Sequence, residues 1–230
     1  MKPTPRERAR QQTMVEIIEI GRAHLEIHGA AGLSLRAVAR DLGVVSSAIY
    51  RYVKNRDELL TLLVVDGYNA LGDAVDAALK DVPAGDFRAQ FRTTGRAVRE
   101  WAVAEPAHYG LLFGSPVHGY DAPAEQTTMP GTRVVTRLVL ILNEAYIAGE
   151  LTAPERVLDP RLRADLATIR QEMGVAMDDS VLAAGVLAWS SLFGAVNFEV
   201  FGQYGAATFS VPAELFESHL DGLEAMVGLR

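Results

Sequence analysis

Ser46, Ser47, Tyr50 and Arg51 crowd into the residues just after Gly43, and the chemistry they offer is hydrogen bonding, not catalysis. Short hydroxyls at the start of a helix reach phosphate oxygens or base edges without steric cost, and an arginine pairs with guanine or phosphate. Other constellations offer less. Ser115, His118 and Asp121 have the types of a nucleophilic triad, but so short a stretch of loop cannot be arranged in triad geometry. Nor does Gly114-Ser115-Pro116 match a Gly-x-Ser-x-Gly elbow. His24 and His28 have a zinc-like spacing, yet Leu25-Glu26-Ile27 between them does not give His-Glu-x-x-His. His28 suits a helix C-terminus, where the dipole favours positive charge. Asp178-Asp179-Ser180 directly precedes an apolar helix, so a helix N-cap is expected there. No Gly-x-x-x-x-Gly-Lys phosphate loop occurs. No catalytic residue, metal or cofactor is expected, and the chain reads as a non-enzyme.

These polar residues need helices to carry them, and helical spacing runs through the chain. Met14, Ile17, Ile18, Gly21, Leu25 and His28 form one stripe ending at Gly29. Ser34 is placed to cap a short helix bearing Leu35, Val38, Ala39 and Leu42, closed by Gly43. Residues 46–52 form a second short helix, and Val38, Leu42, Val44 and Ile49 are the expected shared core. A glycine between them supplies the positive φ of a tight interhelical turn. Asn55 and Glu58 fit a capping box that opens a long helix to about Lys80. Asp86 caps a helix to Ala104, and Pro106 restarts the chain through Phe113. Gly114 to Gly131, with Pro116, Pro123 and Pro130, reads as an irregular loop. Helices are expected over 132–149, 160–173, 179–203 and 212–228. The fold class is all-α, with a three-helix N-terminal domain and a larger helical body.

Composition sets the outer bounds. The 230 residues are 49% hydrophobic and 22% charged, which excludes a disordered chain. The absence of cysteine excludes disulfides, Cys-ligated metals and a Cys nucleophile. No uninterrupted apolar run approaches the roughly 18 residues of a membrane span, and the first residues are charged, unlike a signal peptide. A cytoplasmic protein without a membrane partner is expected. The net charge of −7 is unevenly spread: residues 1–60 carry +3 and residues 61–230 carry −10. A basic head on an acidic body suggests that only the head meets a polyanion.

Five blocks stand at regular spacing: His28-Gly29, Leu33-Ser34-Leu35-Arg36-Ala37-Val38-Ala39, Leu42-Gly43-Val44, Ala48-Ile49-Tyr50-Arg51-Tyr52-Val53 and Lys54-Asn55-Arg56-Asp57-Glu58-Leu59-Leu60. Over residues 11–71 the sequence resembles the TetR family of bacterial transcriptional regulators. The resemblance implies a helix-turn-helix DNA-binding domain at 11–71, with the motif itself at about 34–53, and a helical ligand-binding and dimerisation domain at 72–230. It places Ser34, Ser47, Tyr50 and Lys54 on phosphates, and Arg36, Ser46, Ala48 and Arg51 on bases. Tyr52 completes the DNA-binding set. It further implies a homodimeric repressor on a palindromic double-stranded DNA operator, released by a small apolar effector. The competing reading is a helical carrier or enzyme with a vestigial helix-turn-helix. The segment Val44-Val45-Ser46-Ser47 departs from the family, many of whose members carry a Ser-Lys or Ser-Pro pair there.

In the body, the stretches Tyr109 to Val117 and Trp189 to Phe201 are similar to an actinobacterial-type C-terminal subfamily. Trp101, Tyr109, Phe113, Trp189, Phe193 and Asn197 are the candidate ligand-binding residues, apolar surfaces with a few polar groups; ordinary core is the competing use. The body shows no Lys/Arg cluster that would favour an anionic ligand. Gly185, Gly194 and Ala195 place small residues between large ones on one helix. With Leu215 and Leu223 of the last helix they are the candidate dimer interface, against the alternative of packing within one chain.

Overall fold

The computed structural model describes residues 4–152, 157–205 and 207–229. Among the described residues the chain forms ten α-helices: α1 Pro5–His28, α2 Leu35–Asp41, α3 Ser46–Ile49, α4 Arg56–Leu79, α5 Phe87–Ala104, α6 Pro106–Phe113, α7 Ala124–Ala148, α8 Pro160–Met173, α9 Asp179–Val200 and α10 Pro212–Val227. Extended pairing among them amounts to one isolated bridge between Leu151 and Leu229.

Local chemistry sets the helix ends. Thr4 and Glu7 form a reciprocal capping box ahead of α1, with Pro5 in the first turn, and Gly29 ends the helix at φ 65°. The Glu58 N–H donates to Asn55 Oδ1 at 2.8 Å, while the Glu58 carboxylate accepts from Lys54 N–H. The return bond therefore falls one residue earlier than a capping box expects. Asp86 accepts from Ala89 N–H at 2.9 Å, and Asp178 from Val181 N–H at 3.1 Å. The acidic pair at 178–179 begins α9 as a cap. The expected loop over 114–131 is shorter than anticipated, because α7 starts at Ala124 and contains Pro130. The Pro123 carbonyl accepts from the Gln126 and Thr127 N–H groups and starts the helix. Pro130 removes one interior donor, which the surrounding 25-residue helix absorbs.

The chain packs as two compact units. One joins residues up to Ala70 with Glu105–Gly131, and the other joins Leu71–Ala104 with residues from Thr132 onward. α6 and the loop after it thus pack with the N-terminal residues: Ala107, Leu111, Val117 and Tyr120 lie against the core formed by Ile17, Val38, Ile49 and Leu63.

In the second unit α5 lies against α9 and α10. A Cβ on Gly95 would stand 2.6 Å from Leu220 Cδ2, so the glycine permits this close approach. Arginines at one edge of α5 meet carboxylates. Arg92 bonds Glu217 and Asp221 and reaches Glu224 at 3.1 Å; Arg88 bonds Glu224, Arg96 bonds Glu217, and Arg99 forks onto Glu199 of α9. The body does hold an arginine cluster, contrary to expectation, but each of these four is paired. By length and composition α9 is apolar enough to cross a membrane, although none of its uninterrupted apolar runs approaches that length. Ser190, Ser191, Asn197 and Glu199 interrupt those runs. Val181, Leu182, Ala188 and Leu192 on one side of α9 are buried, while Val186, Leu187, Trp189 and Phe198 are exposed.

Candidate nucleic-acid interface

α2, the turn at Gly43 and α3 form a helix-turn-helix. Gly43 has φ 74°, in the left-handed region, and the turn closes through Gly43 N–H to the Arg40 carbonyl and Val44 N–H to the Ala39 carbonyl, both at 3.0 Å. Leu35, Val38, Ala39 and Ile49 are buried between the helices and α1. Val44, expected in that core, is 37% exposed, because the turn that Gly43 makes carries it outward. α3 is also shorter than the expected 46–52. Its last turn tightens through bonds to the third residue back, such as Tyr52 N–H to the Ile49 carbonyl at 2.8 Å.

This scaffold sorts the candidate residues by exposure. Arg36, Ser46, Ser47, Tyr50, Arg51 and Lys54 are exposed; Ser34, Ala48 and Tyr52 are half-buried. Ser34 stands before α2 in an extended conformation without a side-chain capping bond. Tyr52 packs on the head core, and the Arg10 guanidinium lies over its ring at 5.4 Å from the centroid. Arg10 Nη1 donates to the Arg51 carbonyl at 3.2 Å. Arg10 therefore holds the residues that follow α3 from α1, and Tyr52 is part of that support. Sequence reading missed Arg10, since nothing local marks a contact 41 residues away; the basic charge of the head was its only trace.

A second clamp joins α1 to α2. His24 Nε2 and Asp41 Oδ2 lie 2.7 Å apart, and since a carboxylate only accepts, the imidazole donates. That bond, with Arg40 beside it, holds the Asp41 carboxyl below its ordinary range. The His24 and His28 rings meet edge to face at 5.8 Å. No group of three His, Cys, Asp or Glu side chains suited to a metal occurs among the described residues.

α6 meets the same unit through polar groups as well as packing. Arg22 of α1 forks onto Asp66 of α4 with two 2.6 Å bonds. His108 of α6, buried to 3% exposure, sets Nε2 3.9 Å from Asp66 Oδ2 and Nδ1 3.4 Å from Glu105 Oε2.

The six candidate ligand residues fall in both units. Tyr109 and Phe113 belong to the unit with the helix-turn-helix, where their rings lie 5.0 Å apart and Tyr68 meets Phe113 edge to face. Tyr109 is fully buried, and burial pushes its phenol well above the ordinary tyrosine range. Trp101, Trp189, Phe193 and Asn197 belong to the other unit. Trp189 is 38% exposed and packs edge to face on Phe193, while Asn197 keeps a buried Oδ1 without a hydrogen-bond partner among the described residues.

The candidate interface residues also divide. Gly194, Ala195 and Leu223 line a groove of about 490 Å³ along α9 and α10, with Phe198, Gly222 and Met226. A Cβ on Gly194 or Gly222 would meet nothing within 4 Å. Gly185 instead serves packing inside the protomer, since a Cβ there would stand 2.9 Å from Leu142 Cδ1. Leu215 is half-buried on α10.

Similarity to known proteins agrees with this architecture. Residues 91–223 match the family described as tetracyclin repressor-like, C-terminal domain. The chain is 45% identical over 219 residues to the HTH-type transcriptional regulator Rv1816 of Mycobacterium tuberculosis, covering 95% of this chain and 94% of that protein. The match to the HTH-type transcriptional regulator Mb1846 of Mycobacterium bovis has the same values. The crystal structure of the regulatory protein SCO4313 superposes with a TM-score of 0.76 at 33% identity, covering 96% of this chain and all of that one. A helix-turn-helix head, an all-helical body and these matches have one meaning: the chain belongs to the TetR family of transcriptional regulators.

Proposed function

We propose that this regulator is a cytoplasmic repressor that binds an inverted-repeat operator as a homodimer and leaves it when a small, largely apolar molecule binds. The observation that carries the DNA-binding part is the exposed set Arg36, Ser46, Ser47, Tyr50, Arg51 and Lys54 on a motif whose other side is locked by buried Val38, Ala39 and Ile49. Hydroxyls and cations presented this way suit phosphates and the major groove.

The homodimer rests on α9 and α10. A helix apolar on all sides is normally covered on all sides, and Val186, Leu187, Trp189 and Phe198 of α9 are exposed in one protomer. Mid-helix glycines cost stability, and among the described residues a Cβ on Gly194 or Gly222 would meet nothing within 4 Å. Close approach by a second copy accounts for both.

The effector rests on aromatic surface and on α6. The arginines of α5 are discharged by their carboxylates, which leaves them unsuited to an anion. α6 brings Tyr109 and Phe113 into the unit that holds the helix-turn-helix. A molecule that binds better in one placement of α6 shifts the population of head conformations by its difference in affinity.

The test is selection of duplexes from a random pool, followed by footprinting. The expected product is an inverted repeat with half-site centres about one helical turn apart or somewhat more. Failure to enrich or shift any duplex would leave a helical body without a working head and end this reading.

A further inference from the structure

Val45 is the residue of the recognition segment that folding explains least. It immediately precedes α3, in an extended conformation at φ −67° and ψ 143°, and makes no side-chain capping bond. Valine is among the poor residues for that position, where Ser, Thr, Asp or Asn would accept a bond from the first turn. Val45 is 71% exposed, whereas Ile49, one turn on, is fully buried. Val45 therefore contributes neither a cap nor core. Single exposed apolar residues are ordinary on a protein surface. This one stands among exposed Ser46, Ser47 and Tyr50, on the motif already assigned to DNA.

In the major groove, one apolar group carries sequence information. In the major groove each A·T pair presents the thymine C5-methyl group, and a hydrocarbon side chain against it distinguishes thymine from cytosine. The first residues of a recognition segment are those that reach base edges. We propose that Val45 is a specificity-determining residue that packs its methyl groups on a thymine methyl in each half-site. The inference rests on the DNA-binding reading above. It adds that part of the sequence is read by apolar contact, where Ser46 and Arg51 read by hydrogen bonding.

The experiment removes the methyl from either side of the contact. The probe is a fluorescein-labelled duplex enriched by the wild-type protein from a random pool, with thymines replaced singly by uracil. Uracil keeps the pairing edge and lacks only the methyl group. Burial of one such group predicts that uracil at one position per half-site weakens wild-type binding about fourfold. Val45→Ser is expected to bind thymine and uracil duplexes equally at that position. Serine is a favoured cap, so its melting temperature should be no lower than wild type, which separates lost contact from lost fold. A uracil penalty of the same size in Val45→Ser, or no position where the two proteins differ, overturns the inference and leaves DNA binding standing. Absence of any duplex binding by the wild type overturns both.

Discussion

At Lys54 the expected contribution is that of a point charge on a phosphate, and at Arg51 that of a planar fork on a base; the two make different predictions. Lys54→Ala should weaken binding to all sequences and reduce the slope of log affinity against log salt by about one unit, one counterion's worth. Arg51→Ala should cost about 1–3 kcal/mol of discrimination at one base pair, if its fork is bidentate, and leave other positions unchanged. Affinity measured over a salt series with single-base variants of the duplex distinguishes them. An unchanged slope for Lys54→Ala would remove that phosphate from the account. The exposed residues were legible because type and spacing are local. Arg10 and the support it gives Tyr52 were not, since a cation over a ring from a distant helix has no local signature. Val44 was misplaced for a related reason: an apolar type predicts burial, while the turn at Gly43 decides direction.

Helices and their order could be read from periodicity and caps, and most ends fell within a few residues of expectation. α7 was the exception, as proline at 130 carries a breaker signal that a long helix overrode. What periodicity could not give was the pairing of elements: that α6 packs with the head, and that α5 sets its arginines against α9 and α10. That pairing makes a pH prediction. Arg96, then Arg92, hold the Glu217 carboxyl at about 2 against an ordinary 4.5. A depressed carboxylate stabilises the fold fully above its unfolded value. Thermal midpoints should therefore fall as pH drops from 4.5 toward 2, and Glu217→Gln should flatten that dependence. At neutral pH, Arg92→Ala should cost about 3 kcal/mol, the low end for breaking a buried pair, because Arg88 still holds Glu224. Calorimetric scans across pH check both; a Glu217→Gln protein with the wild-type pH profile would contradict the pairing of Glu217 with Arg96 and Arg92.

For the molecule as a whole, the proposed function needs a DNA-binding head, an effector-binding body and a second copy. Linkage limits what the effector can do: coupling of about 1–3 kcal/mol lowers operator affinity about 5–150-fold at saturation. Phe193→Ala should lose effector response while operator affinity without effector stays near wild type, and Trp189, packed on Phe193, should report binding through its fluorescence. A response unchanged in Phe193→Ala would move the effector away from α9. In the proposed function these parts work through a dimer, and Gly194 offers a clean probe because its Cβ position is open among the described residues of the protomer. Gly194→Asp should fold as wild type yet set like charges against each other across a two-fold axis. Sedimentation velocity of wild type and Gly194→Asp, alone and with the enriched inverted-repeat duplex, tests the central claim most directly. The account predicts a wild-type dimer carrying one duplex per two protomers, and a monomeric variant with far weaker binding. A wild-type monomer that binds the duplex one to one, or a variant indistinguishable from wild type, would contradict it.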